Sequence, residues 1–418
     1  MFIEAKIYNQ LIGVLYFDKN TKRILFEYDK DFIKKGLEIS PILMPLSQRN
    51  KIYSFDRLNE ETFKSLPPVF ADSLPDKFGN TILNEWLSIK GKSITDLNPL
   101  ERLSYIGERG MGALEYFPNL NLKSSETKIE VSDIVEIAKM VLSNKKTNTN
   151  SLENILQIGT SAGGARAKAI IAINHKTNEV ISGDILVENT DFRYYILKID
   201  GIIDEQTGLP KGYGKIEYAY YKMAKLAGID MMPSDLYVEN NNSHFITERY
   251  DRINQEKIHT QTLCGIANMD YNNPVQHSYE QCFDVMRKLN LNHTDFVKQY
   301  RRMVFNVLAK NCDDHTKNIS FLMNKNGEWK LSPAYDVTFA HNPENYWIKQ
   351  HQMSVNGKRN NITLEDLDIV GEKHGIRNRK GILKEVQQSV LQWETIAKEV
   401  GIEKKRIDYI GGLISSKN

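Results

Sequence analysis

Residues 306–336 read NVLAKNCDDHTKNISFLMNKNGEWKLSPAYD, and this stretch decides the fold. Asn318 follows five positions after Asp313, and two short segments with strand-like apolar patterns, ISFLM and EWKLS, come next. The NKNG between them contains an Asn-Gly pair, which is typical of a hairpin turn. The second segment runs through SPAY into Asp336. The order therefore predicts a polar loop, a β-hairpin and a carboxylate at the end of the hairpin.

This order suits phosphoryl transfer. A carboxylate must orient or deprotonate the attacking hydroxyl, while an amide oxygen and a second carboxylate hold Mg²⁺ against the phosphates of ATP. Protein kinases use D-x-x-x-x-N and a later Asp in these roles, so we predict Asp313 as the catalytic base and Asn318 and Asp336 as metal ligands. The alternative is that Asp313, Asp314 and Asn318 only cap a turn. His315 could be a base, a metal ligand or a hydrogen-bonded loop residue.

A second candidate pair involves the strand-like segment YYILKID. Its Lys198 interrupts an apolar pattern, and burying a lysine there is costly unless its charge is used. Glu217 opens the next helical segment, GKIEYAYYKMAKLAG, and is a candidate partner in a lysine–glutamate pair that binds nucleotide phosphates. Alternatively, Lys198 extends its charge into water at a strand end, and Glu217 favours the positive end of a helix.

The segment GTSAGGARAK, residues 159–168, is rich in small residues and precedes an apolar strand. Backbone N–H groups of such a loop can approach phosphates. It is not a Walker-type loop, because Gly164 is followed by Ala165 and Arg166 rather than by Lys and Ser or Thr. An ordinary tight turn is the alternative.

The composition limits the protein class. The chain has 418 residues, 41% hydrophobic and 26% charged, with a net charge of +2. These values are ordinary for a globular protein of roughly two to three domains and argue against long disorder and a strongly basic nucleic-acid-binding protein. Cys264, Cys282 and Cys312 are too few and too widely spaced to indicate a disulfide framework or a zinc site, which favours a cytoplasmic location. We expect neither a signal peptide in MFIEAKIYNQ nor a membrane span.

The pattern along the chain predicts an α+β protein. Within residues 1–50, AKIYNQLIGVLYFD and RILFEYD have strand patterns on either side of the turn DKNTK, so we expect an antiparallel sheet. VSDIVEIAKMVLS predicts a helix that starts in a capping box of Asp133 and Glu136, and NKKTNTNS at 144–151 indicates a surface loop. EYAYYKMAKLAGI predicts a helix ended by Gly228. ILKEVQQSVLQWETIAKEV predicts one long helix near the C-terminal end.

Together these residues resemble the HipA family of bacterial type II toxin–antitoxin serine/threonine kinases. The resemblance covers nearly the whole chain and includes LPPVFADSLPD, IGERGMGALEY, TSAGGARAK, the strand lysine, FITERYDR and HQMSVNG at 351–357. Its most specific block is NCDDHTKNISF followed by LSPAYD. The catalytic loop of that family is D-x-H-x-K-N, and the five-residue offset to Asn318 selects Asp313 rather than Asp314 as the base.

The resemblance implies a two-lobed, protein-kinase-like α+β fold with an extra N-terminal β-rich subdomain and a mainly helical C-lobe. We expect the N-terminal subdomain at residues 1–125 and a nucleotide-binding N-lobe with the Gly-rich loop at 126–255. The catalytic C-lobe would span 256–418.

The resemblance also assigns site residues. In the E-R-[FY]-D-R segment at the nucleotide hinge, Glu248 would border the adenine and Asp251 would reach the ribose. The autophosphorylated serine of the family corresponds to Ser161, with Thr160 beside it as an alternative acceptor. The nucleotide-binding set predicted in this way is Lys198, Glu248, Tyr250, Asp251, Ala162, Gly163, Gly164, Lys168, His315 and Lys317.

The implied function is a toxin that uses ATP and Mg²⁺ to phosphorylate a host protein and itself, which arrests growth. In the best-known case the host protein is an aminoacyl-tRNA synthetase. A small helix-turn-helix, HipB-like antitoxin that binds operator DNA would neutralise the toxin, and no membrane partner is expected. Two alternatives stay open: a small-molecule kinase, and a non-catalytic corepressor that retains the fold. The intact set of Lys198, Asp313, Asn318 and Asp336 argues against the corepressor.

Overall fold

The computed structural model describes residues 1–48, 51–120, 128–142, 166–184, 186–201 and 212–415. Helices and antiparallel sheets are combined in these residues, so the predicted α+β class is confirmed. Within these ranges no helix is both long and apolar enough to cross a membrane.

The N-terminal part is built on a five-stranded antiparallel sheet. Its strands are β1 (Phe2–Ile7), β2 (Gln10–Asp18), β3 (Arg23–Tyr28), β4 (Tyr53–Ser54) and β5 (Leu114–Phe117). The strand order is β4–β3–β2–β1–β5. The predicted hairpin is confirmed in β2 and β3, and the Asp18 carboxylate closes its turn by accepting from the Asn20 N–H and the Thr21 hydroxyl.

Five helices lie in the same part of the chain: α1 (Lys30–Lys35), α2 (Glu60–Phe63), α3 (Pro68–Ala71), α4 (Lys77–Ile89) and α5 (Pro99–Ile106). The last of them begins in a capping box, because Asn98 and Glu101 each accept a hydrogen bond from the other's backbone N–H. Four of the helices pack on the first sheet. The exception is α4, which buries Phe78, Ile82 and Trp86 in the core of a second sheet.

The second sheet is also antiparallel and five-stranded. Its strands are β6 (Lys168–Asn174), β7 (Val180–Ser182), β8 (Phe192–Lys198), β9 (Ser234–Glu239) and β10 (Asn242–Glu248). In the order β7–β6–β8–β10–β9, the register places Lys198 opposite both Lys168 and Phe245. Opposed residues point to the same face, so the two lysines lie side by side.

Helix α6 (Val131–Leu142) packs on this sheet and corrects one prediction. The Glu130 carbonyl accepts from the N–H groups of Asp133 and Ile134. The helix therefore starts before Asp133, which lies in the first turn and not at the cap. The predicted loop at 144–151 lies outside the described residues.

Helix α7 (Tyr213–Leu226) crosses β10 at very short range. A Cβ atom added to Gly214 would lie 2.0 Å from the Ser243 carbonyl oxygen, so only glycine fits at this crossing. The predicted end of the helix is confirmed at Gly228, which has φ +73°, and the following N–H of Ile229 bonds to the Ala224 carbonyl at 2.9 Å.

The C-terminal part is mainly helical and contains two small sheets. The short strands are β11 (Arg252–Ile253), β12 (Glu256–Lys257), β13 (His259–Thr262), β14 (Ser320–Met323) and β15 (Trp329–Leu331). The helices are α8 (Leu263–Ala267), α9 (Tyr279–Lys288), α10 (His293–Leu308), α11 (Leu364–Lys373), α12 (Arg379–Val390), α13 (Trp393–Val400) and α14 (Lys404–Ser415). The predicted hairpin is confirmed in β14 and β15, and its turn contains Gly327 at φ +83°.

The prediction of one long helix near the C-terminal end is wrong. The chain turns at Leu391 and Gln392, between α12 and α13. The turn leaves Leu391 exposed and directs Trp393 into the core, where its ring lies 5.6 Å from the Tyr220 ring on α7. The apolar pattern of the sequence continues across the turn, which is why periodicity alone suggested one helix.

Candidate active site

Lys198, Glu217 and Asp336 form an ionic cluster beside the second sheet. Lys198 ends β8, Glu217 lies on α7, and Asp336 follows the β14–β15 hairpin. The Nζ atom of Lys198 lies 2.5 Å from Oε1 of Glu217 and also donates to Oδ1 of Asp336. The sheet, the helix and the hairpin thus each contribute one charged side chain to the same point.

The opposite charges in this cluster keep each other ionised. Burial alone would lower the pKa of Lys198, but Asp336 and Glu217 outweigh it and raise that pKa. Burial would likewise raise the pKa of Asp336, but Lys198 and then Lys168 hold it below its usual value. Asp336 also adopts φ +52°, a conformation uncommon outside glycine and found preferentially at functional sites. The cluster therefore keeps one lysine charged and one carboxylate ionised.

Asp313 and Asn318 lie on a short loop that follows α10. The Nδ2 atom of Asn318 donates to the Asp313 carbonyl at 2.8 Å, so its Oδ1 atom is left to act as a ligand. The Asp313 side chain is 46% exposed and accepts a hydrogen bond from Nε2 of Gln352 at 2.9 Å. The loop thus presents one carboxylate towards solvent and orients one amide.

His315 and Lys317 lie on the same loop with different neighbours. The Nε2 atom of His315 is 3.9 Å from Oδ1 of Asp313, and its ring lies 5.6 Å from the Tyr271 ring. Lys317 places Nζ 4.6 Å from the centre of the same Tyr271 ring. Burial alone would lower the pKa of Lys317. Interactions with Cys264, with Tyr271 and, to a smaller extent, with Asp72 outweigh burial and raise that pKa above its usual value. Their roles in nucleotide binding stay predictions.

Asp314, the neighbour of Asp313, is buried and fully engaged. Its carboxylate accepts from the Tyr279 hydroxyl, from Nδ1 of His351 and from the Gln352 N–H at 2.8–2.9 Å. Burial would lower the pKa of His351, but Cys312 and Asp314 raise it to about 10, so the imidazole is a charged donor to Asp314. Of the two aspartates, only Asp313 offers its carboxylate to solvent.

Lys168 lies in a different environment from the one predicted. Its Nζ atom is 3.0 Å from Oδ2 of Asp76, and the two side chains are only 4% and 6% exposed. Asp76 is the residue that caps α4. Lys168 is close enough to Asp336 to lower its pKa, but a carboxylate of the N-terminal part holds its charge. Direct contact with a nucleotide would require this pair to open.

Asp251, in the predicted hinge segment, has several partners in the protein interior. Asp251 is buried, and its oxygens accept from Arg249, Arg252 and the Gly112 N–H. Burial alone would raise the pKa of Asp251, but the two arginines hold it far below its usual range. Arg252 also donates to the carbonyls of Gly110 and Gly112. Asp251 therefore anchors the loop at 110–112, and its contact with the ribose stays a prediction.

The two neighbouring predictions have different outcomes. Tyr250 is buried with its ring stacked 5.5 Å from the Tyr335 ring, and burial raises its pKa to about 12, so its side chain belongs to the interior and not to an open pocket. Glu248 stays partly accessible and bonds to Arg193 and Tyr195 at 3.1 and 3.3 Å. Its position beside the adenine stays a prediction.

The centre of the Gly-rich loop, with Thr160, Ser161, Ala162, Gly163 and Gly164, lies outside the described residues. Arg166, at the described end of this loop, stacks 3.6 Å above the Tyr213 ring and lies 4.0 Å from Oε2 of Glu217.

Sequence reasoning missed four residues that hold the site: Asp72, Asp76, His351 and Gln352. Their segments, FADSLPD and HQMSVNG, were noted as family-like blocks without individual roles. A carboxylate in an otherwise apolar segment was the available signal for Asp72 and Asp76.

The comparisons with known proteins agree with this geometry. Residues 160–410 match a family model for the HipA-like C-terminal domain, and residues 3–117 match one for the HipA N-terminal domain. A putative kinase, Y4mE, of Sinorhizobium fredii is 26% identical over 194 residues, which is 43% of this chain and 39% of that protein. A putative kinase of Haemophilus influenzae is 31% identical over 143 residues, 31% of this chain and 42% of that protein. The chain thus spans about two fifths of the length of these relatives.

A solved structure shares the fold over nearly the whole length. It is the HipA of Shewanella oneidensis MR-1 in a complex with HipB and its operator DNA, with a TM-score of 0.65 at 16% identity. The alignment covers 99% of this chain and 96% of that one.

Proposed function

This chain belongs to the HipA family, and on that premise we propose that it is an ATP- and Mg²⁺-dependent serine/threonine protein kinase that acts as a toxin. The observation that carries the proposal is the convergence of Lys198, Glu217 and Asp336 from three elements of the fold. This is the arrangement in which kinases hold the phosphates and the metal, with a catalytic loop alongside.

Each charged residue has a role that its contacts support. Glu217 holds Lys198, whose ammonium binds the phosphates of ATP. Asp313 receives the proton of the attacking hydroxyl while the oxygen of that hydroxyl forms a bond to the γ-phosphorus. The bond from that phosphorus to the β–γ bridging oxygen breaks, and ADP leaves. The exposed Asp313 carboxylate can meet a hydroxyl of another protein, whereas the buried Asp314 cannot.

The residues present fit a magnesium ion. Asn318 Oδ1 and the Asp336 carboxylate are hard oxygen donors, which Mg²⁺ prefers. Among the described residues no group of three or more His, Cys, Asp and Glu side chains is arranged to bind a metal. Mg²⁺ usually binds through one or two protein ligands together with substrate phosphates, so this small donor set is suited to a nucleotide-bound ion. When bound, the ion neutralises the charge on the phosphates.

We extend the proposal to partners and regulation. A HipB-like antitoxin would neutralise the kinase and connect it to operator DNA, and the fold shared with the HipA of a HipA–HipB–DNA complex supports this. The protein substrate would be a host protein, with an aminoacyl-tRNA synthetase as the first candidate. Ser161, or Thr160 beside it, would be the acceptor of self-phosphorylation. A phosphate in this loop would add about −1.5 to −2 charges, and this negative charge would repel ATP.

Phosphate transfer from radiolabelled Mg²⁺-ATP tests the kinase proposal. We expect the purified wild type to label itself and at least one host protein, but not sugars or aminoglycosides. Asp313→Asn should label neither, whereas Asp408→Asn, at an exposed position on α14, should behave like the wild type. Labelling of small molecules alone would support the small-molecule kinase instead, and no transfer by the wild type would support the corepressor.

A further inference from the structure

Gln352 contacts the proposed catalytic base from the protein interior. Its Nε2 atom donates to Oδ1 of Asp313 at 2.9 Å. Gln352 is 3% exposed, whereas the Asp313 side chain is 46% exposed. Resting on the kinase function proposed above, we propose that Gln352 is a positioning residue, which turns the Asp313 carboxylate so that its second oxygen faces the incoming hydroxyl.

The backbone of Gln352 is fixed independently of its side chain. Its N–H donates to Oδ1 of Asp314 at 2.8 Å, and its carbonyl accepts from Nη1 of Arg359. His351, the preceding residue, binds the other oxygen of Asp314 at 2.9 Å. Asp314 thus ties the 351–352 segment to the loop that carries Asp313. The Gln352 side chain can be changed while these contacts hold the segment in place.

The bonding of the Gln352 amide favours a role in function over one in stability. Its Oε1 atom is buried and has no hydrogen-bond partner among the described residues. Leaving a buried polar atom unpaired costs about 1–3 kcal/mol, a cost that an apolar side chain of similar size would avoid. Asp313 is half-exposed, so water could replace the lost donor without a large loss of stability. The donor is therefore best explained by the orientation it gives to Asp313.

The contact between Gln352 and Asp313 is also sensitive to charge. Gln352 donates an N–H to Asp313, whereas Gln352→Glu would place a second carboxylate at the same point with almost no change in shape. Two like charges at this distance repel each other, so Asp313 would turn away from the orientation that the amide gives it. This exchange therefore tests the orientation of Asp313 separately from the size of the side chain at 352.

The test compares Gln352→Leu, Gln352→Glu and the control Gln350→Glu, which adds the same charge two residues earlier, where the side chain accepts from the Asn360 amide. The kcat, the KM for ATP and thermal unfolding are measured for each full-length chain. For Gln352→Leu we expect a Tm close to that of the wild type, a KM for ATP within about twofold, and a kcat lower by about 10²-fold, the scale of a misplaced reacting group. For Gln352→Glu we expect a fall in kcat of the same size with the KM for ATP again within about twofold, and for Gln350→Glu we expect wild-type values.

Each outcome has a defined meaning. An active wild type with unchanged kcat in both Gln352 variants would overturn the positioning role while leaving the kinase proposal intact. The same would follow if Gln350→Glu lowered kcat as much as Gln352→Glu. A wild type that transfers no phosphate would overturn the kinase proposal and this inference with it. If Gln352→Leu does not fold, the kcat and the KM for ATP of Gln352→Glu decide the question.

Discussion

Lys168 and Asp76 form a buried ion pair, with 3.0 Å between Nζ and Oδ2, that joins the second sheet to the N-terminal part of the chain. Four residues before Asp76, Asp72 accepts from the N–H and the hydroxyl of Thr262, the last residue of β13 in the three-stranded sheet that contains the β14–β15 hairpin. A single segment, residues 72–76, is thus bonded to both halves of the kinase-like part. Two carboxylates from outside these halves thus contact both of them.

Removing one partner of the Lys168–Asp76 pair should lower the free energy of unfolding. Burial raises the pKa of Asp76 in spite of Lys168, so the pair is not a strong net stabiliser, but Asp76→Asn alone would leave the lysine charge buried. We expect it to lower the free energy of unfolding by about 3–5 kcal/mol, while the asparagine keeps the cap of α4. Urea unfolding measures this.

The double variant Asp76→Asn/Lys168→Met is the control for that experiment. It removes both charges, so it should recover a large part of the loss. A double variant as unstable as the single one would contradict the charge-based explanation.

Asp313→Ala should separate chemistry from folding. The side chain is half-exposed, so stability and ATP affinity should stay near wild-type values while kcat falls by about 10²–10⁴-fold. Induced expression of the wild type should slow bacterial growth, and expression of the variant should not. A toxic, active Asp313→Ala would disprove the assignment of the base.

Asp314→Ala, in contrast, should destabilise the fold. It removes the acceptor of three hydrogen bonds and leaves the charged His351 without its carboxylate. We expect a loss of about 3–5 kcal/mol in the free energy of unfolding, measured in urea at pH 7. A stable but inactive Asp314→Ala would suggest that the roles of the two aspartates are reversed.

Metal binding should require the nucleotide. Calorimetry should find ATP binding strengthened by Mg²⁺ in the wild type, and this gain should be lost in Asp336→Asn, because one of the two proposed protein ligands is weakened. Lys198→Met should weaken ATP binding with or without the metal, since it removes a phosphate contact. Equal ATP affinity with and without Mg²⁺ in the wild type would contradict the assignment of Asn318 and Asp336.

Acid should destabilise the fold through His259. This residue is fully buried on β13, and burial lowers its pKa to about 3, against about 6.5 in an unfolded chain. A folded-state pKa below the unfolded one gives stability that is present above pH 6.5 and lost as the pH falls towards 3. Between pH 7 and pH 5 the loss should be about 2 kcal/mol.

His259→Leu should flatten this part of the stability profile, and His293→Leu, at an exposed position on α10, should not. Urea unfolding at pH 7, 6 and 5 compares the three proteins. An equal pH dependence of wild type and His259→Leu would exclude this histidine as the source.

Sequence reasoning succeeded for features that depend on contacts between residues close together in the chain. The hairpins and the end of α7 depend on neighbours a few residues apart, and the DKNTK turn, the Asn326-Gly327 pair and Gly228 signal such contacts directly. Asp313, Asn318 and Asp336 could be predicted as site residues because their spacing is local and characteristic. Within the described residues, the contacts that were missed join positions far apart, such as Asp76 with Lys168 and Asp313 with Gln352.

Tertiary packing also determines contacts that local patterns do not show. Asp251 is assigned to the ribose by resemblance to the hinge segment of the family, and in the structure its carboxylate accepts from Arg249 and Arg252 of the same segment. It also accepts from the Gly112 N–H, 139 residues away, and no local pattern indicates that contact. The long C-terminal helix was predicted because its apolar spacing persists through a turn that only tertiary packing creates.

The anchoring of the loop at 110–112 has a consequence for biosynthesis. The N-terminal sheet leaves the ribosome well before Asp251 and Arg252 are translated, yet the Gly112 N–H and the Gly110 and Gly112 carbonyls bond to those two side chains. While the chain is being made, water must satisfy these groups. A polypeptide whose synthesis stops before residue 251 would lack both partners of this loop. A prematurely ended product would therefore expose backbone that proteases can reach, and the cell could remove it before incomplete chains accumulate.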